Sequence, residues 1–176
     1  MSSSYGVEAV SGSSVVMYSF NGEILIYDVV NKKTKTSKQI KNVFDNSEVQ
    51  EQGKISNPPY LNKVIYYSPK NEIVSALMNG LLISLSATNL KKKKIKTAHN
   101  GSINDVKMSL FDINEHNEVI SYGKDKCLKF INALSFDIDC YIDMEYNVID
   151  YDTTKNNSLF FIDDTTKKLF NMKVIY

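Results

Sequence analysis

The chain has 176 residues, with 21 basic against 20 acidic side chains and a formal charge of +1, so no bulk field draws it to a polyanion or an anionic membrane. All 21 basic residues are lysines, which removes the planar bidentate fork favoured in guanine and phosphate recognition, and nucleic acid is not an expected partner. Two cysteines, Cys127 and Cys140, with no apolar leader and no apolar run of about 18 residues, lead to the expectation of an intracellular, reducing setting, cytoplasmic or nuclear, and of no membrane partner.

Short apolar segments rich in Val, Ile, Tyr and Phe, separated by Asn, Gly, Asp and Lys, run along the whole chain, and no stretch has the period of a long amphipathic helix. The first unit predicts strands at 7–11, 15–20, 23–28 and 34–40, with Asn21-Gly22 as a two-residue turn between the middle pair. A polar stretch over 41–59, ending in Pro58-Pro59, reads as a surface loop. The second unit predicts strands at 63–68, 72–78, 81–86 and 93–97, its middle pair joined by Asn79-Gly80. A third follows at 103–109, 118–122, 127–132 and 136–142, turning through Gly123, Lys124 and Asp125. The fourth has strands at 148–151, 158–162 and 168–172, and the sequence stops shortly after the third of these.

Four-stranded units recurring at this period cannot bury both faces alone, so they stack on one another around an axis. The expected fold class is all-β: a single domain over 1–176 made of about four β-propeller blades of four antiparallel strands, at 5–40, 60–97, 99–142 and 146–176, with the last blade lacking its outer strand.

The third unit carries the more specific pattern. Ala98-His99 precedes its first strand, Ser121 lies in its second, Asp125 in the turn that follows, and Ile131-Asn132 closes the third. This resembles the WD repeat, in which Gly-His, Ser or Thr, Asp and Trp-Asp occupy those places. The resemblance implies a buried structural hydrogen-bond network of His99, Ser121 and Asp125. Ile131 stands at the Trp position and has no donor, so the network ends one bond early. Tyr27-Asp28 and Leu85-Ser86 are the degenerate counterparts in the first two units. Within that family, roughly residues 40–176 are similar to the C-terminal half of one member. Members often close the ring by lending the last blade a strand from the N-terminus, which leads to the expectation that Tyr176 is a natural end. Four blades then lead to the expectation of half a propeller, with its other half on a longer or separate chain, or of two associating copies.

Other readings of the same residues are weaker. Ser121, His99 and Asp125 are the residue types of a nucleophilic triad, but they occupy the places of a structural network and no strained nucleophile turn surrounds Ser121, so no catalytic residue is expected. His99, His116, Cys127 and Cys140 have no short metal-ligand spacing, and no metal is expected. No phosphate loop or dinucleotide fingerprint is present, so neither a cofactor nor a small-molecule substrate is expected. The lysine run 91–96 reads as a solvated outer edge, with nuclear import as the alternative. Tyr60, Tyr66, Tyr67, Tyr122 and Tyr146 fall near loop mouths, where aromatics could anchor a partner. The expected function is a protein–protein interaction scaffold, the alternative a structural subunit completing a larger propeller, and the least favoured an enzyme with loop-borne residues.

Overall fold

The computed structural model describes residues 5–44, 60–111 and 118–175. Among these, the first sheet is β1 (Tyr5–Ser11), β2 (Ser14–Ser19), β3 (Glu23–Asp28) and β4 (Lys33–Gln39). The second is β5 (Leu61–Tyr67), β6 (Glu72–Leu77), β7 (Leu81–Ser86) and β8 (Lys92–Thr97). The third is β9 (Ile103–Met108), β10 (Glu118–Gly123), β11 (Cys127–Asn132) and β12 (Ile138–Asp143), and the last β13 (Val148–Thr153), β14 (Ser158–Asp163) and β15 (Leu169–Lys173). Each sheet is an antiparallel meander in chain order, three of them four-stranded and the last three-stranded.

Alternation along the strands explains the stacking, because successive side chains point to opposite faces. In β6, Ile73 enters a core shared with the first sheet while Val74 enters one shared with the third. In β10, Val119 joins that second core and Ile120 joins another built with the last sheet. Three apolar cores therefore lie between four sheets, which is the architecture of consecutive propeller blades. Three of the four inner strands share a further mark: β5, β9 and β13 each carry a register shift just after their first residue. Such a bulge twists the strand at the same place in the second, third and last blades, whereas in β1 the register shifts near the end, between Ala9 and Ser11.

Two expectations are corrected. Asn21-Gly22 and Asn79-Gly80 are not two-residue turns, since the connections hold three residues, Phe20-Asn21-Gly22 and Met78-Asn79-Gly80. Only the glycines have positive φ, at 89° and 87°, and their amides donate back to Ser19 O at 3.0 Å and Leu77 O at 3.1 Å. That is a type I turn followed by a left-handed bulge residue, a hairpin solution that Asn-Gly also suits. The third blade uses the same turn, with Lys126 at φ 60° donating to Gly123 O at 3.0 Å. The second correction concerns the polar loop. Ile40–Val43 form a 3-10 turn, and Ile40, Val43 and Phe44 pack into the first core; these apolar side chains hold the chain against the sheets beyond residue 41. Residues 45–59 lie outside the described set.

Candidate functional site

His99 follows β8 and precedes β9, and its side chain turns inward beneath the third blade, where it is 1% exposed. Its Nδ1 lies 2.8 Å from Asp125 Oδ1 in the turn after β10, and its Nε2 2.8 Å from Ser121 Oγ on β10. Asp125 also accepts the Asn100 amide at 2.9 Å and the Cys127 amide at 3.3 Å. Burial holds the imidazole below its ordinary value of 6.5, against the pull of the Asp125 carboxylate. Burial works to raise the Asp125 pKa, but the bonds from Asn100 and His99 outweigh it and hold the carboxyl below 3.8. A neutral imidazole beside an ionised carboxylate fixes the roles: Nδ1–H donates to Asp125, and Nε2 accepts the Ser121 hydroxyl.

The surroundings leave the ring little freedom. A Cβ on Gly123 would stand 2.4 Å from His99 Nδ1, so only glycine leaves room there. From the second blade, Gly80 O accepts the amides of Ala98 at 2.9 Å and His99 at 3.0 Å. A Cβ on Gly80 would meet His99 O at 2.1 Å. Ser121 is fully buried, so its Oγ has no open approach for a substrate. Ile131 is buried in the second core with Ala98, and apolar packing takes over where the hydrogen bonds stop.

The other blades fill these positions differently. Ser75 pairs with Ile83 and Val64 as Ser121 pairs with Lys129 and Val106, yet Ser75 Oγ and Asn79 Nδ2 are buried with no hydrogen-bond partner among the described residues. The second blade has a different buried polar set, which sequence reasoning missed: Ser84 donates to Glu72, and Lys94 lies 3.6 Å from Glu72. In the first and last blades the position belongs to Met17 and Phe161.

Of the five tyrosines, Tyr122 and Tyr67 are buried, Tyr66 is hydrogen-bonded to Asn71, and Tyr146 packs on Phe170 and Phe161. Tyr60 is exposed and stacks on exposed Phe20 with ring centroids 4.6 Å apart. Met78 is exposed as well, and its amide donates to Tyr60 O at 3.0 Å. Within the lysine run, Lys94 also lies over the Phe136 ring at 5.6 Å and Lys96 is 3.4 Å from Asp137, so two of the cations are drawn onto the seam with the third blade. Cys127 donates to Asp143 Oδ1 at 3.0 Å, and burial pushes its thiol up to about 11. Cys140 packs on the third core. His116 lies outside the described residues, among which no group of three or more His, Cys, Asp or Glu is placed to hold a metal ion.

No family model and no curated protein matches the sequence. Solved structures do. A chain in the crystal structure of the Mitotic Checkpoint Complex superposes with a TM-score of 0.72 at 14% identity, over 97% of this chain and 49% of that one. The WD40 β-propeller domain of Doa1 gives 0.69 at 12% identity, over 94% and 49%. The computationally designed Ika8 protein gives 0.64 at 12% identity, over 93% and 47%. The chain thus spans about half the length of the chains it matches. Three packed cores, meandering sheets in chain order and these superpositions together show the fold, four consecutive blades of a β-propeller.

Proposed function

We propose that the protein is an interaction scaffold of the WD-repeat type that takes protein partners at the rim formed by its second-to-third strand turns. The observation that carries this reading is the exposed stack of Phe20 on Tyr60 with exposed Met78 bonded through its amide to Tyr60 O, Phe20 and Met78 lying on the turns of two adjacent blades and Tyr60 just before β5. Large side chains on a rigid support lose little freedom on docking and make effective anchors. The comparison with a chain of a multiprotein checkpoint complex supports protein partners of some kind. We further propose that the protein has no catalytic activity, works without a cofactor, and belongs to the interior of the cell. We also propose a relation between roughly residues 40–176 and the C-terminal half of WD repeat-containing protein fifty-three, from which this chain departs by lacking a long basic insertion before the closing blade.

The test is quantitative affinity capture with the wild-type chain and a Phe20→Ser, Tyr60→Ser, Met78→Ser variant. The proteins recovered specifically by the wild type are expected to be lost from the variant while its circular dichroism is retained. Recovery of the same set by both rejects the rim as the docking site. A second reading, a half-ring that completes a larger propeller, is favoured by large apolar side chains left uncovered at both ends of the stack, Val7 on the first sheet and Leu169 on the last.

A further inference from the structure

Every internal junction is built from the same two faces. The side of a sheet turned toward the preceding blade bears Val64, Val106 and Tyr151 at one inner-strand position, each cross-paired with the fourth residue of its neighbour, and all three are buried. In the first sheet this position is Val7, paired with Met17, and Val7 is 60% exposed. The side turned toward the following blade bears Ile24, Leu82 and Leu128 at one third-strand position, again buried. In the last sheet this position is Leu169, paired with Ile162, and Leu169 is 66% exposed. Val7, Val15 and Met17 therefore form half of a junction at one end of the stack, and Phe160, Ile162 and Leu169 the other half at the opposite end.

We infer that a second copy of this chain covers both faces, head to tail, so that the last sheet of each copy packs on the first sheet of the other and two sets of four sheets close into one ring. The inference rests on the half-ring reading above and names its partner. A second copy brings both complementary faces at once, in the geometry the chain already repeats between its own blades. Contact between like faces would not reproduce that geometry. The arc also fits: the chain superposed at a TM-score of 0.72 is 49% covered by 97% of this one, so two lengths of this chain match one of that.

The seat is partly formed. Inside the chain, β9 lies against both β5 and β6. On the last sheet, the corresponding strands β13 and β14 line a hollow of about 90 Å³ between Asp150, Asp152, Phe160 and Ile162. An incoming β1 carrying Val7 would lie across it. The longest piece of this sequence outside the described residues, 45–59, is shorter than any of the four sheets and cannot supply a blade.

Sedimentation velocity and light scattering over a dilution series test this on the 176-residue chain. The expected species is a two-copy particle. Val7→Asp and Leu169→Asp should each weaken it by about 100-fold or more, because each buries two unpaired carboxylates per ring. Circular dichroism should be unchanged, since both side chains are exposed in the single chain. Mixing the two variants should restore a two-copy species, because one of its junctions keeps both native faces. An unbounded ladder of masses overturns the closed ring. Loss of association in only one variant, with no recovery on mixing, overturns head-to-tail contact. A chain that stays single at every concentration overturns the second copy. In that case, anilinonaphthalene sulfonate binding that both substitutions reduce leaves the half-ring reading standing, and no dye binding removes that reading too.

Discussion

In the third blade Ser121 meets His99 and His99 meets Asp125; in the second, Ser75 and Asn79 hold the same register, and neither Ser75 Oγ nor Asn79 Nδ2 finds a hydrogen-bond partner among the described residues. Both blades are nonetheless four-stranded, share the three-residue turn and are buried on both faces. Alternating apolar strands are therefore enough to make a blade. The network adds something narrower, which is to fix how the chain passes from the outer strand of one blade to the inner strand of the next. The second blade places its buried polar contacts elsewhere, from Ser84 to Glu72 and Lys94 across three neighbouring strands.

Breaking the better-connected site should have the largest effect. Asp125→Ala removes the acceptor of three hydrogen bonds, from His99, Asn100 and Cys127, and should cost about 3 kcal/mol by urea unfolding. Asn79→Ala, which loses only the contact from the Leu81 amide at 3.3 Å, should cost about 1 kcal/mol. Equal costs would mean that the two turns are held alike and the contrast is empty.

Acidification should separate the blades next. His99 has a folded pKa below its unfolded value of 6.5, so the unfolded chain takes up the proton first. Its contribution is fully present above 6.5 and is lost as the pH falls through the folded value. Asp125, also lowered, from 3.8, contributes above that unfolded value and loses its contribution in more acidic solution. The urea midpoint should therefore fall as pH drops below 6.5, and His99→Gln should flatten that first limb. An unchanged slope in the variant would assign the limb to other groups.

The smallest difference is the sharpest. Ser121→Ala should cost about 1–2 kcal/mol because it leaves His99 Nε2 without its donor, whereas Ser75→Ala should stay within about 0.5 kcal/mol of wild type. A comparable loss at Ser75 would show that its hydroxyl is satisfied after all.

Much of this was legible in the sequence, and the reasons are specific. Alternating Val, Ile and Tyr located the strands to within a residue or two at most ends, and the spacing of His99, Ser121 and Asp125 pointed to a network through its likeness to a known repeat. One misreading hid two features at once. Taking Asn-Gly as a two-residue turn counted Phe20 and Met78 as strand residues and so concealed their contacts with Tyr60, because the same dipeptide serves both turn types. The Glu72, Ser84 and Lys94 set was not visible because Lys94 belongs to a lysine run whose members look equally solvated. Only the pairing of β7 with β8, which sets Ser84 opposite Lys94, singles one of them out.

The close approach of Gly80 to the backbone at His99 has a consequence for how the molecule opens. The amides of Ala98 and His99 both end on Gly80 O, so neither can reach solvent until the turn of one blade has parted from the first residues of the next. Fraying at either end of the stack leaves that joint closed. Their deuterium uptake should accordingly be among the slowest in the chain and should track the concerted loss of the whole structure, which makes these two protons internal reporters of cooperativity between neighbouring repeats.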